Sequence, residues 1–160
     1  LIVKEDKGYR MDLPNRPPVE SLLPEAIENA LSRKPSKVLK GCDYVLVYDD
    51  EHAVRSMQID RPVFDQINLG TGGVIVTAPG ESCDFVSRFF TPQATILEDP
   101  VTGSAHCSLV PYWSGIFGKT ELTAQQLSVR GGFLNCHLVG DRVHLIGEAV
   151  TTLQGTIHLD

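Results

Sequence analysis

The sequence predicts an α+β fold, a mostly antiparallel sheet or barrel wrapped around one central helix, and three observations carry that prediction. The strongest helical period lies at 103–117, where Ala105, Leu109, Tyr112, Trp113 and Ile116 recur at intervals of three and four. Beyond it the pattern is all strand and turn, with runs at 125–130, 133–139, 142–145 and 149–159 parted by Gly131-Gly132, Gly140-Asp141 and Gly155. Ahead of it lie three more short apolar runs, at 43–48, 74–78 and 84–91. A chain of 160 residues with 42% hydrophobic content can bury one good core.

Taken in order, Leu1 to Lys4 and Tyr9 to Leu13 read as a hairpin, because Glu5-Asp6-Lys7-Gly8 is a turn composition with glycine where positive φ is called for. Pro14, Pro17 and Pro18 end regular structure, and Pro17-Pro18 favours the extended backbone of a crossing segment. Pro24 to Leu31 reads as a helix, with Pro in the first turn, Glu25 near the positive end of the dipole, and Ala26, Ile27, Ala30 and Leu31 on one face. Lys34-Pro35 stops it. Val45, Leu46 and Val47 make 43–48 the clearest strand of the first half, whereas 51–59 is open between strand and helical turn. Pro62 to Ile67 reads as a short helix closed by Gly70, Gly72 and Gly73, and 74–78 as a buried strand turned by Pro79-Gly80. The run 84–91 alternates as a half-buried strand, with Phe85, Ser87, Phe89 and Thr91 on one side and Val86, Arg88 and Phe90 on the other. In the central helix Pro111 is discordant, since inside a helix it removes a hydrogen bond and costs about 3 kcal/mol unless the helix bends. Gly118-Lys119 supplies the stop.

A formal charge of -6 with no basic stripe argues against nucleic acid and against a membrane surface, and favours a small polar or anionic ligand. No run approaches the ~20 apolar residues that cross a bilayer, and the first residues lack the layout of a signal peptide, so a cytoplasmic protein is expected. Cys42, Cys83, Cys107 and Cys136 form no Cys-x-x-Cys pair and read as structural thiols in a reducing compartment. His137 and His144 face each other across an expected hairpin, but two histidines lack the further ligands of a metal site, and no metal is expected.

Chemistry concentrates in Glu98-Asp99-Pro100-Val101-Thr102-Gly103-Ser104-Ala105-His106, an acidic loop that runs into the first turn of the central helix. The first N–H groups of a helix have no intrahelical partner, and Gly103 lets a ligand approach them closely. The N–H groups of Gly103, Ser104 and Ala105 are thus expected to bind the oxygen atoms of an anion, with Asp99 near enough to exchange a proton. A carboxylate beside a helix N-terminus is stabilised in its charged form, so Asp99 is expected to orient or relay rather than to act as principal base. Thr102 or Ser104 caps the helix, a role compatible with touching the ligand. Two side chains stay open. Arg88 either snorkels at a sheet edge or grips a carboxylate of substrate or partner loop, and His106 either reaches the cleft or is buried and hydrogen-bonded to the sheet.

The segments Asp84-Phe85-Val86-Ser87-Arg88-Phe89-Phe90-Thr91-Pro92, Glu98-Asp99-Pro100-Val101-Thr102-Gly103-Ser104-Ala105, Arg130-Gly131-Gly132 and Gly147-Glu148-Ala149-Val150 together resemble the C-terminal half of the phenazine-biosynthesis PhzF-like family. That family shares its fold with diaminopimelate epimerase. The resemblance implies a two-domain molecule, each half a barrel-like sheet rolled around a helix, with the active site in the cleft between them. By that resemblance residues 1–18 are the end of an N-terminal half and a crossing segment, and 19–160 a C-terminal domain. In the phenazine enzyme the reaction is an isomerisation that shifts a proton on a cyclic hydroxy-amino acid without metal or organic cofactor. By motif match its acidic residue and serine fall on Asp99 and Ser104, the implied catalytic pair, with Thr102, Gly103, Ala105, Arg88 and His106 as substrate-binding candidates. The family's main acid/base is a glutamate of the N-terminal half, which no residue here matches.

The resemblance therefore implies an isomerase- or epimerase-like domain for a small anionic, hydroxy-amino-acid-like ligand, incomplete by itself. A binding or regulatory protein that keeps the fold and the anion pocket without turnover is the alternative. An apolar surface is expected where the other half belongs, covered by that half or by a second copy of the chain.

Overall fold

Every strand among the described residues joins one sheet. The computed structural model describes residues 1–5, 8–150 and 152–156. In chain order the elements are β1 (Ile2–Glu5), β2 (Gly8–Pro14), β3 (Val19–Glu20), α1 (Glu25–Ala30), β4 (Lys37–Lys40), β5 (Tyr44–Val47), α2 (Glu51–Arg55), α3 (Arg61–Phe64), β6 (Val74–Pro79), β7 (Phe85–Phe90), β8 (Glu98–Asp99), α4 (His106–Phe117), β9 (Glu121–Gln126), β10 (Gly132–Val139) and β11 (Arg142–Gly147). The sheet has 11 strands in the order β1-β2-β11-β10-β9-β7-β6-β5-β4-β3, with β8 added to β7. Only β5 with β6 and β7 with β9 run parallel; the other pairs are antiparallel, so the α+β class with a mostly antiparallel sheet holds.

The first hairpin forms as the sequence predicts, with Gly8 at φ +96 after a turn whose Asp6 and Lys7 lie outside the described residues. Its second strand pairs with β11 from Tyr9 to Pro14, so the hairpin is continuous with the sheet around α4. Helix α1 falls inside its expected range, α3 starts one residue before its expected range and ends three residues early, and the open run 51–59 is helix over Glu51–Arg55, the Asp50 side chain accepting the Ala53 N–H at 2.7 Å, with Ile59 bridged to Leu31. Ala26, expected on the buried face of α1, is exposed; Ile27 and Ala30 carry the contact.

Two cores flank the sheet. On one face α4 packs through Leu109, Val110 and Trp113 against Val45, Ile75, Phe85 and Phe89. On the other, α1 to α3 place Ile27, Val54 and Phe64 against Val74, Val76, Val86 and Phe90. The alternation expected for 84–91 is therefore present, but β7 is buried on both faces rather than one, because helices cover each side.

The central helix is more enclosed than a single apolar stripe. His106 through Val110 are all buried, since the sheet curls around the first turns, while Tyr112 is half-buried and Ile116, expected on the core face, is 58% exposed near the far end. Pro111 has no N–H to offer the Cys107 carbonyl four residues back, and the Arg16 N–H fills that place at 2.9 Å. Ser108 Oγ donates to the Arg16 carbonyl at 3.0 Å, so the crossing segment is clipped to the helix where proline opens it. Gly118 ends the helix in the left-handed region at φ +66, its N–H on the Ser114 carbonyl.

Two strands differ from expectation. The run expected at 125–130 is β9 at Glu121–Gln126, because Leu122, Ala124 and Gln126 supply the inward phase and Gly131 (φ +71) closes the turn to β10. The strand expected at 149–159 is irregular over 149, 150 and 152–156, the remainder lying outside the described residues. No helix among the described residues is long and apolar enough to cross a membrane. All four cysteines are free, and burial pushes the Cys136 thiol up to about 12.

Candidate active site

The acidic loop is anchored before it reaches the helix. β8 adds Glu98 and Asp99 to the edge of β7, opposite Phe90 and Phe89. Glu98 is gripped by Arg88 in a two-pronged contact, Nε to Oε1 at 2.7 Å and Nη2 to Oε2 at 2.9 Å. Arg88 Nη1 donates to the carbonyls of Met57 at 2.8 Å and Val54 at 3.2 Å, at the end of α2. The guanidinium also lies over the Phe90 ring, 4.9 Å from its centre. Of its two readings, Arg88 thus takes the grip on a carboxylate, but that of the loop itself, on the face of the sheet away from α4. It is not brought to the helix N-terminus with the other candidates.

Asp99 and Thr102 form the centre of the loop. The Thr102 hydroxyl donates to Asp99 Oδ2 at 2.6 Å, and the Thr102 N–H donates to Gln126 Oε1 at 2.7 Å. Gln126 Nε2 donates in turn to the Asp99 carbonyl at 2.7 Å and to Thr102 Oγ1 at 3.2 Å. The Ser128 hydroxyl holds the Pro100 carbonyl at 2.7 Å. Thr102 is buried and faces this network, Ser104 is exposed, and Gly103 is half-buried.

His106 takes the buried reading, with its partner in the loop rather than in the sheet. It has no exposed surface, and its Nδ1 donates to the Thr102 carbonyl at 2.9 Å, since a carbonyl only accepts. Nε2 is left as a bare acceptor without a partner, beside Phe85 with ring centres 5.9 Å apart. Burial lowers its pKa to about 4, so His106 is neutral near pH 7 and acts as a lock between loop and helix.

α4 begins at His106 rather than at 103 as the sequence predicts, and its first N–H groups are already used. His106, Cys107 and Ser108 N–H donate to the Gly103, Ser104 and Ala105 carbonyls, each at 3.1 Å. The N–H groups of Gly103, Ser104 and Ala105, in the turn ahead of the helix, find no acceptor among the described residues; the N-cap is Ala105, so neither Thr102 nor Ser104 caps the helix as expected, the Thr102 hydroxyl being spent on Asp99. Gly103 borders a cleft of about 480 Å³ whose walls include Tyr9, Met11, Val101, Leu145 and Glu148. A slightly larger hollow, about 530 Å³ around Asp84, Lys119 and His137, contains no residue of the loop. His137 and His144 do stand opposite each other on β10 and β11, but among the described residues no three potential ligands gather for a metal.

Arg130-Gly131-Gly132 has a packing reason. A Cβ on Gly132 would lie 2.4 Å from Val101 Cγ2, so glycine lets Val101 seat the loop against β10. Gly132→Ala is expected to cost about 1–3 kcal/mol by overpacking, and Val101→Ala in the same chain to recover part of it; thermal melts of the two variants check this, and equal losses would sink it.

The sequence reasoning missed Gln126 and Ser128. The signal for Gln126 was available in register: it occupies the inward phase of a strand whose other inward members are Leu122 and Ala124, a position that a polar side chain keeps only with partners.

Residues 15–155 match the model of the phenazine biosynthesis-like proteins, PhzC-PhzF, and the chain belongs to that family. It is 48% identical to an uncharacterized isomerase of Pseudomonas aeruginosa, over 98% of this chain and 59% of that protein. It is 47% identical to the human phenazine biosynthesis-like domain-containing protein, over 96% of this chain and 60% of that one. The crystal structure of a PhzF-family protein of Enterococcus faecalis superposes with a TM-score of 0.88 at 40% identity, over 99% of this chain and 60% of its own. The chain thus spans about 60% of the length of these relatives.

Proposed function

We propose that this chain supplies one wall of the active site of an isomerase- or epimerase-like enzyme that moves a proton on a small carboxylated metabolite without a cofactor. The observation that carries the reading is the set of three N–H groups without an acceptor, on Gly103, Ser104 and Ala105, in the turn that follows the Asp99–Thr102 hydrogen bond, with Gly103 on the wall of the cleft. A substrate oxygen reaching this turn would meet free donors, so the negative charge that builds up when a neighbouring C–H bond breaks would be held there. The exposed Ser104 hydroxyl adds one more donor. Thr102 occupies Asp99 Oδ2, which leaves Oδ1 as the oxygen to accept or return a proton. The name of the Pseudomonas relative as an isomerase agrees with this chemistry.

A proton shift needs a second group on the other side of the substrate, and we assign it to the part of the protein beyond this chain. That part would also cover the apolar rim of the cleft, where Ile2 is 63% and Tyr9 36% exposed. Alone, the chain is expected to associate in light scattering and to exchange no substrate protons with deuterated solvent. A monomer that exchanges them at an enzymatic rate, and loses that rate as Asp99→Asn, would overturn the assignment.

The anion site is tested separately. Titrating sulfate or a small dicarboxylate into the labelled chain should move the amide resonances of Gly103, Ser104 and Ala105 first, and Ser104→Leu should weaken binding about ten-fold or more, the equivalent of one or two charge-assisted hydrogen bonds. Shifts confined to other residues, with Ser104→Leu binding unchanged, would exclude the helix N-terminus as the site.

A further inference from the structure

We infer that Gln126 is the positioning residue that holds the Thr102 hydroxyl as a donor to Asp99; the inference rests on the proton-transfer reading of this loop. The direction of each bond follows from which partners can only give and which can only take. Gln126 Oε1 faces the Thr102 N–H, which only donates, and Gln126 Nε2 faces the Asp99 carbonyl, which only accepts. These two backbone groups fix the carboxamide in one orientation.

The third contact then has a determined direction. Nε2 has a second hydrogen, and it points to Thr102 Oγ1 at 3.2 Å. With an incoming hydrogen on that oxygen, the hydroxyl's own proton is left for Asp99 Oδ2 at 2.6 Å. An ionised Asp99 only accepts, so Gln126 and Asp99 together hold the hydroxyl in one rotamer, with Asp99 Oδ2 engaged and Oδ1 turned to other work. Gln126 is 1% exposed, so water does not compete for these contacts. It touches neither the cleft nor a ligand, and acts through Thr102. Its place on β9 ties the loop to the strand that runs parallel to β7, so both walls of the loop are carried by the central sheet.

The test is a spectroscopic signature that packing alone would not produce. In the labelled 160-residue chain, the Thr102 hydroxyl proton should be slow to exchange and visible as a separate resonance near neutral pH. Gln126→Met keeps the volume and removes donor and acceptor; the hydroxyl resonance should vanish and Thr102 amide exchange accelerate about ten-fold. Gln126→Glu is the second variant, read at the same neutral pH: its carboxylate keeps an acceptor for the Thr102 N–H and lacks both donors, so the hydroxyl resonance should be lost while the Thr102 amide stays protected.

An unchanged hydroxyl resonance in folded Gln126→Met overturns the proposal, as does a folded Gln126→Glu chain that keeps it. Anion binding reports on the other reading: a wild-type chain that shows the hydroxyl signature but no sulfate response at Gly103 to Ala105 removes the ligand site and leaves the role of Gln126 intact.

Discussion

Trp113→Ala is expected to destabilise the chain by about 3–5 kcal/mol, the range for emptying a large buried aromatic site. Trp113 is 2% exposed and sits at the middle of an aromatic column, stacked on Phe85 at 5.9 Å and on Phe117 at 5.3 Å, with Tyr112 edge-on at 5.1 Å. Its Nε1–H donates to Thr77 Oγ1 at 3.0 Å, and Thr77 passes a hydrogen bond to the Val86 carbonyl at 2.7 Å. One side chain thus joins α4 to β6 and β7, and Phe85, itself fully buried, is not free to refill the space. Trp113→Phe keeps most of the stack and loses the hydrogen bond, so its cost should be nearer 1 kcal/mol. Denaturant titration followed by circular dichroism measures both. Trp113 is the one tryptophan of the sequence, so the wild-type emission checks the premise directly. Red-shifted, readily quenched emission would contradict its burial, and an alanine variant within 1 kcal/mol of wild type would contradict the column as a stabilising unit.

The central helix and the strands around it were readable because their signals are long or strongly punctuated. The stop at Gly118 and the turns at Gly8, Gly131 and Gly140 all fall on glycines with positive φ, a backbone region that other residues enter at a cost. What escaped was short or doubly buried. β3 and β8 have two residues each, too few for any alternation, and β4 has only Val38 and Leu39 between lysines. The second core was hidden because α1, α2 and α3 span one or two turns, so no apolar period builds up in their sequences. Ile116 was placed on the buried face because period alone does not say where a curled sheet stops covering a helix.

The site was legible in its outline and not in its wiring. Asp99, Thr102 and the helix start come together as the loop sequence implies, since three residues of loop cannot carry them apart. Gln126 lies 24 residues away and reaches the loop only through the sheet. Arg88 could be read as a carboxylate grip, but which carboxylate depends on the pairing of β8 with β7, which two residues do not announce.

Acid is expected to weaken this protein through His106. Its pKa is about 4 in the folded chain against 6.5 unperturbed, because burial disfavours the charged ring. The folded state therefore binds fewer protons than the unfolded state between those values, and stability rises with pH across that window. The contribution of the neutral ring is complete above 6.5 and is lost as pH falls toward about 4, amounting to roughly 3 kcal/mol at the acid end. His106→Asn provides the comparison, since the asparagine amide can place a donor near the position of Nδ1 and does not titrate in this range. Carboxylates common to both chains cancel in the difference, so the wild-type stability should fall relative to the variant as pH drops from 6.5 to about 4. Parallel pH profiles would sink the argument. Protonation also puts a hydrogen on Nε2, where no acceptor waits, while Nδ1 still holds the Thr102 carbonyl. The ring can relieve that only by leaving its site, which releases the lock between loop and helix. Acid should therefore loosen the Asp99 to Ala105 segment before the sheet melts, and amide exchange at Thr102 should rise ahead of exchange in β6 and β7.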